Sequence, residues 1–129
     1  MLKRKVDDYL IQWKNNPDRL PLVIKGARQI GKTFSVRNFA KNYKNYIEIN
    51  FITDPQFKTI FKNGYSPESI IKEITLLRPD WEFIPNETLI LFDEIQVFPD
   101  CTTCLKFFKL DGKYDVICSG SLLGINYNQ

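Results

Sequence analysis

The alternation of apolar and polar positions divides this chain into helices and strands. Apolar residues three and four positions apart predict amphipathic helices, and short apolar or alternating runs between turn residues predict strands. The helical spacing predicts helices at residues 2–13, 36–43, 70–77 and 103–110, and a short helix is predicted at residues 56–62. Strands are predicted at residues 22–24, 46–51, 88–92 and 114–118. Strands that alternate with helices favour an α/β fold with a mostly parallel sheet.

Proline and capping residues mark several of these boundaries. Pro17 ends the first predicted helix, because proline lacks the N–H that a helix interior needs. Ser66 before Pro67 is typical of an N-cap followed by proline at the first helical position. Residues 22–24 are wholly apolar, so we expect this strand to be buried on both faces of the sheet.

Length and composition narrow the class of protein. The 129 residues suffice for one domain with a buried core, and the apolar fraction of 43% is ordinary for a globular protein. We therefore expect a single domain across residues 1–129. The 18 basic and 15 acidic side chains are mixed along the chain, so nucleic-acid binding is not indicated. No apolar run reaches the roughly 18 residues of a membrane span, and no signal-peptide core follows the N-terminus, which favours a cytoplasmic protein.

The cysteines form a weak pattern for metal binding. Cys101 and Cys104 make a CxxC pair, but no second pair exists and the chain has no histidine. Zinc sites that need imidazole ligands are therefore excluded. We favour reduced thiols at the start of a helix over a metal site.

The segment after the first predicted strand matches the phosphate-loop pattern GxxxxGK[ST] at every position. Glycines let backbone N–H groups turn inward around a phosphate, and the following helix adds partial positive charge at its N-terminus. We expect Lys32 to reach the β- and γ-phosphates of a nucleotide and the Thr33 hydroxyl to bind Mg²⁺. Nucleotide contacts are expected from the loop and the residue after it, namely Gly26, Ala27, Arg28, Gln29, Ile30, Gly31, Lys32, Thr33 and Phe34.

The third predicted strand ends in two carboxylates, Asp93 and Glu94. Ligands of open parallel sheets bind at the carboxyl ends of strands. With a phosphate loop upstream, Asp93 is expected to hold Mg²⁺, directly or through a water. Glu94 is expected to orient and deprotonate the water that attacks the γ-phosphate. The alternative is that both are solvated residues at a strand terminus.

The order of these motifs resembles that of the AAA+ and related additional-strand class, because a strand lies between the phosphate loop and the acidic strand. This resemblance implies the sheet order 5-1-4-3-2. The fourth strand would then aim the polar residues at its carboxyl end, Ser119 and Ser121, at the γ-phosphate. We favour Ser119 as the sensor-like hydroxyl and keep Ser121 as the alternative.

More narrowly, the chain resembles prokaryotic AAA-type ATPases of an archaeal-ATPase-like group, which often carry a C-terminal domain of unknown function. The resemblance rests on Gly-Ala-Arg-Gln-Ile-Gly-Lys-Thr at 26–33, Phe-Asp-Glu-Ile-Gln at 92–96 and Ser-Gly-Ser at 119–121. It implies a three-layer P-loop fold and Mg-dependent hydrolysis of ATP, coupled to a conformational change in a partner protein or C-terminal domain. Threonine usually stands where this chain has Ser119.

Two features of the full AAA pattern do not fit within 129 residues. There is no room after Ser121 for a fifth strand, and no arginine follows Arg78 to act as an arginine finger. We therefore expect an N-terminal fragment of a longer protein, weakly active alone, with any finger supplied by an oligomer. Two other functions stay open: a regulatory or scaffold module that binds ATP with little turnover, and a small-molecule kinase, whose arginine-rich lid has no counterpart here.

Overall fold

The computed structural model of the chain describes residues 5–26 and 30–121, apart from the side chains of residues 30–32. Four α-helices are present in this part, namely α1 (Lys5–Asn15), α2 (Ile30–Phe39), α3 (Pro67–Leu77) and α4 (Leu105–Asp111). The four strands are β1 (Leu22–Gly26), β2 (Asn45–Asn50), β3 (Thr88–Asp93) and β4 (Asp115–Ser121). Short 3₁₀ segments occupy Ala40–Asn42, Pro55–Phe61, Ile95–Val97 and Pro99–Cys104. None of the helices described is long and apolar enough to cross a membrane.

The strands form one parallel sheet in the order β1-β4-β3-β2. This is the predicted order 5-1-4-3-2 without its first member, so the α/β class and the strand order are confirmed. Among the described residues, β1 therefore lies at one edge of the sheet, as that order requires when the fifth strand is missing. β3 and β4 occupy the centre, and every residue of β3 is buried, as expected for strands covered on both faces.

Helices α1 and α2 cover one face of the sheet. Their apolar side chains pack on alternate residues of the central strands, in a cluster of Leu10, Trp13, Val36, Phe39, Ala40, Leu89, Leu91 and Ile117. The side chains alternate along each strand, so Asp93 lies on the same face as Leu89 and Leu91. The N-terminal helices therefore cover the face that carries Asp93.

Helices α3 and α4 cover the opposite face together with the 3₁₀ segments at 55–61, 95–97 and 99–104. This layer is aromatic-rich: Phe51 and Phe92 stack at 6.1 Å, and Phe57 stacks on Trp81 at 5.5 Å between ring centroids. Helix α3 begins as predicted, because the Ser66 hydroxyl accepts a hydrogen bond from the Ser69 N–H at 3.2 Å. Two helical layers around one sheet confirm the three-layer architecture.

Three expectations about individual elements are wrong in detail. β1 is not buried on both faces, since Val23 is 37% exposed and only Leu22 and Ile24 pack on the α1–α2 layer. An edge strand lacks a neighbour on one side, so a helix layer covers it incompletely. The segment at 56–62 is a 3₁₀ turn rather than an α-helix, and the helix expected at 103–110 is α4 preceded by a 3₁₀ segment.

The fourth strand is longer than predicted. It extends from Asp115 to Ser121, instead of ending at Cys118. Its amino end is fixed by Asp115, which accepts hydrogen bonds from Arg19 Nε at 2.9 Å and from the Tyr43 hydroxyl at 2.5 Å. These contacts lie at the edge of the sheet opposite the predicted phosphate loop.

Candidate functional site

The carboxyl ends of β1, β3 and β4 meet at one edge of the sheet. Asp93 pairs in register with Ser119, and Gly26 pairs with Ser121. Residues in register on parallel strands direct their side chains to the same face. The fold thus places Asp93 beside Ser119, and Ser121 beside the start of the phosphate-loop segment.

The two sequence motifs are joined by a direct hydrogen bond. Thr33 on α2 donates its hydroxyl to Asp93 Oδ2 at 3.0 Å, although 60 residues separate them in sequence. The other carboxylate oxygen of Asp93 accepts the backbone N–H of Glu94 at 2.8 Å. With only 5% of Asp93 exposed, the carboxylate is held in a defined position by both contacts.

The environment of Asp93 opposes its ionisation. Burial raises the pKa of this carboxyl, the hydrogen bonds from Thr33 and Glu94 partly offset that effect, and the negative charges of Glu94 and Glu48 add to the rise. A cation bound here would remove much of this cost, because it would neutralise a buried negative charge. The electrostatics therefore suit a site completed by a metal ion.

Glu94 leaves the sheet in an unusual backbone conformation. Its φ of 59° and ψ of 45° lie in the left-handed region, which few residues other than glycine adopt. Such conformations cost energy and cluster at functional sites. The Glu94 carboxylate is held by Gln96, whose Nε2 donates to Glu94 Oε1 at 2.7 Å.

Ser119 and Ser121 are both buried, with 1% and 3% of their surfaces exposed. The two residues lie within β4 and on the same face, because they are two positions apart. Ser119 is in register with Asp93, whereas Ser121 is one step nearer the phosphate loop. Register favours Ser119 as the neighbour of the acidic residue.

The phosphate-loop segment lies partly within the described residues. Ala27, Arg28 and Gln29 lie outside the described residues, as do the side chains of Ile30, Gly31 and Lys32, whose backbone belongs to the first turn of α2. Gly26 ends β1, and a Cβ built there meets no described heavy atom within 4 Å. Phe34, on the second turn of the helix, is 48% exposed.

One charged cluster near this edge was not singled out from the sequence. Glu48 on β2 accepts two hydrogen bonds from Arg37 of α2, at 2.9 and 2.7 Å, and one from the Tyr46 hydroxyl at 2.6 Å. Burial acts to raise the pKa of Glu48, but these hydrogen bonds outweigh it and lower the pKa. The only sequence signal was the polar side of β2, where Tyr46, Glu48 and Asn50 alternate with apolar residues.

The donor atoms at this edge fit magnesium better than a transition metal. Mg²⁺ prefers oxygen ligands and binds through one or two carboxylates together with substrate phosphates and waters. The Thr33 hydroxyl and the Asp93 carboxylate provide such oxygens side by side. Within the part of the chain that the structure describes, no group of three histidine, cysteine or acidic residues forms a protein-only metal cage.

The three cysteines lie away from this edge, on the α3–α4 face of the sheet. All are free and fully buried, and Cys101 contacts both Cys104 and Cys118. Burial, together with hydrogen bonding to Cys104 and Cys118, raises the pKa of the Cys101 thiol. The expectation of reduced thiols beside a helix start agrees with this geometry.

The fold and the residues at this edge of the sheet define a class of protein. A parallel sheet in the order 1-4-3-2, with a phosphate-loop sequence after β1 and an acidic residue ending β3, is the P-loop nucleotide-binding arrangement of the AAA type.

Comparison with known proteins gives the family. A family model described as an AAA domain matches residues 18–129, and the chain belongs to this family. Among solved structures, the chain is similar to "Structure of C. elegans PCH-2", with 14% sequence identity and a TM-score of 0.48. That alignment covers 97% of this chain and 37% of the other, so the chain spans little more than a third of that relative. None of the curated proteins searched gives a match.

Membership of the AAA domain family gives the chain a nucleotide-binding function of the ATPase type.

Proposed function

We propose that this chain binds Mg-ATP at the carboxyl edge of its sheet and hydrolyses the β–γ phosphoanhydride bond. The observation that carries the proposal is the 3.0 Å hydrogen bond between Thr33 and Asp93. It brings a residue of the phosphate-loop motif against a residue of the acidic motif, as a shared magnesium site requires. We propose further that hydrolysis is coupled to a conformational change in a partner protein or an additional C-terminal domain.

The loop and the start of α2 bind the phosphates in this proposal. Backbone N–H groups of the segment between Gly26 and Phe34 would bind the phosphate oxygens, and the N-terminus of α2 would contribute partial positive charge. Lys32 contacts the β- and γ-phosphates. Thr33 and Asp93 hold Mg²⁺, which when bound offsets the negative charge of those phosphates.

Glu94 is the general base of the proposed reaction. Its carboxylate orients a water and accepts a proton as the water oxygen attacks the γ-phosphorus, while the bond to the β–γ bridging oxygen breaks and ADP leaves. Ser119, in register with Asp93, directs its hydroxyl toward the γ-phosphate. Ser121 is the alternative for this sensor-like contact.

A binding module with little turnover is the second candidate, and one observation favours it. Glu94 Oε1 already accepts a hydrogen bond from Gln96, so one acceptor position of this carboxylate is occupied and fewer remain for a water. A completed site would also need an arginine finger, which we propose comes from another subunit or segment. β1 presents an edge without a second strand among the described residues, where such a segment can pair.

The substitution Glu94→Gln tests the proposal. An amide holds a water but accepts no proton, so we expect Mg-ATP affinity to be kept and turnover to fall by a factor of about 10² to 10⁴. Binding is measured by calorimetry and turnover by phosphate release.

Glu68→Gln is the matched control, because Glu68 is an exposed acid on the first turn of α3, and it should keep both binding and turnover. Equal turnover by Glu94→Gln and the parent would remove Glu94 from the role of base. Binding with no turnover in the parent itself would favour the second candidate.

A further inference from the structure

The Gln96 side chain connects the end of β3 to the end of β4. Its Nε2 donates to Glu94 Oε1 at 2.7 Å, and its Oε1 accepts the backbone N–H of Ser121 at 3.0 Å. Gln96 lies on the 3₁₀ turn Ile95–Val97 directly after Glu94, whereas Ser121 is 25 residues further along the chain. A single amide thus holds a carboxylate with one end and a strand with the other.

The chemistry of the two partners fixes the orientation of this amide. The Ser121 N–H needs an acceptor and the Glu94 carboxylate needs a donor. Rotating the amide by half a turn would place NH₂ against the N–H and a carbonyl oxygen against the carboxylate. Among side chains that do not titrate, only glutamine and asparagine offer a donor and an acceptor on one planar group, and glutamine is the longer of the two.

Gly120 leaves the space that this arrangement occupies. A Cβ added at Gly120 would lie 2.9 Å from Ile95 Cγ1 and 3.1 Å from Gln96 Oε1. The first separation is shorter than a carbon–carbon contact allows. The glycine of the Ser119-Gly120-Ser121 segment therefore lets β4 approach the turn that carries Gln96.

We propose that Gln96 is a positioning residue for hydrolysis, which sets the Glu94 carboxylate relative to the carboxyl end of β4. This inference rests on the proposed role of Glu94 as the general base. Ser119, proposed to contact the γ-phosphate, lies on the same strand end. A shift of that strand end is passed to Glu94 through the amide, so the base responds to the occupancy of the γ-phosphate position.

Gln96→Met tests this inference, because methionine keeps the length of the side chain and removes both hydrogen bonds. We expect kcat to fall about ten- to a hundredfold, the size that loss of a hydrogen bond to a charged group gives. The KM for Mg-ATP should stay near that of the parent, whereas the melting temperature should fall by several degrees because two hydrogen bonds are lost, so kcat is measured well below it. Gln96→Glu, which is isosteric but faces Glu94 with a second carboxylate, should lose at least as much kcat.

The control and the double variant separate positioning from simple packing. Val97→Ala, on the same 3₁₀ turn and 39% exposed in the parent, should keep the kcat of the parent. In a Glu94→Gln background, Gln96→Met should cause no further loss, because the group that it positions is already disabled. A further loss of the same size there, or equal losses of affinity and kcat in Gln96→Met alone, would overturn the inference.

The same set of variants distinguishes this inference from the proposed function. If Glu94→Gln loses turnover while Gln96→Met and Gln96→Glu keep the kcat of the parent, Glu94 remains the general base and the positioning role of Gln96 is overturned. If Glu94→Gln keeps full turnover, the proposed base is wrong and the role of Gln96 fails with it. A selective loss of kcat in both Gln96 variants, absent from the double variant, supports the inference.

Discussion

The hydrogen bond between Thr33 and Asp93 can be removed with little change of shape. Thr33→Val keeps the β-branched side chain and its restricted χ1 rotamers but replaces the hydroxyl with a methyl group. Asp93 is only 5% exposed. When its carboxylate loses the Thr33 donor, water therefore replaces that hydroxyl poorly. We expect the metal-free protein to lose stability and the Mg-dependent part of its ATP affinity to disappear.

The size of the stability loss follows from the charge of the acceptor. Hydrogen bonds to charged groups contribute about 1.5–3 kcal/mol. With an unfolding entropy of about 2.1 cal/mol/K per residue, the 129 residues give about 0.27 kcal/mol/K. Thr33→Val should therefore lower the melting temperature by about 6–11 °C, measured by calorimetry in the presence of a chelator.

The loss of stability caused by Thr33→Val should also depend on pH, in a direction that follows from the pKa of Asp93. Burial raises the pKa of Asp93 in the folded protein, and the Thr33 hydrogen bond partly offsets this rise. A raised carboxyl pKa means that the native state binds its proton more tightly, so stability falls as the pH rises through the folded pKa. Thr33→Val removes that offset and so raises the pKa of Asp93 further. The stability deficit of the variant relative to the parent should therefore be largest where Asp93 is ionised, and it should shrink in acid, where Asp93 is protonated.

Thr33→Ser is the control, because it keeps the hydroxyl and loses only a methyl group. It should retain Mg-dependent ATP binding and most of the stability. Equal melting temperatures for the valine and serine variants, or a deficit that grows in acid, would show that the Thr33–Asp93 contact does not have the energetic role assigned to it.

Two further predictions concern parts of the chain away from the nucleotide edge. Burial and the hydrogen bond to Asp115 raise the pKa of Tyr43. The parent should therefore lose stability as the pH rises past the ordinary tyrosine pKa of about 10. In alkaline melting curves, Tyr43→Phe should lose less stability than the parent over that range. Cys101, Cys104 and Cys118 are fully buried, so a thiol reagent should label them in denaturant but not in the native protein; rapid native labelling would contradict this packing.

The individual strands were predicted from local apolar patterns, whereas their order was expected from the resemblance to the additional-strand class. The apolar run of β3 identifies a central strand, and the phosphate-loop pattern assigns β1 its place before α2. Only the burial of β1 was misjudged, because its three apolar residues resemble those of a strand that is covered on both faces. The exposure of Val23 depends on which strands lie beside β1 in the folded protein. The sequence of β1 alone does not specify those neighbours.

The polar parts of the site were harder to predict for a physical reason. Strand prediction relies on apolar residues, and β4 continues through Ser119, Gly120 and Ser121, which are buried although two carry hydroxyl groups. Their burial reflects their position beside β1 and β3, not their hydropathy.

Gln96 lies in the segment 92–96 that carries the family resemblance, but its position in the sequence indicates no role. Its two partners are recognised only when β3 and β4 lie side by side, and no spacing rule links residues 96 and 121. Glu48 was missed for the same reason, because its partner Arg37 lies on a different element. Long-range polar contacts of this kind become visible only in three dimensions.

Calorimetric titration of Mg-ATP into the parent and into Lys32→Ala tests the central claim most directly. The ammonium group serves the nucleotide phosphates in this account, so its removal should abolish binding while the melting temperature of the nucleotide-free protein stays the same. Binding by the parent that disappears when Mg²⁺ is chelated would agree with the roles of Thr33 and Asp93. Unchanged ATP affinity in folded Lys32→Ala would contradict the assignment of this edge of the sheet as the nucleotide site.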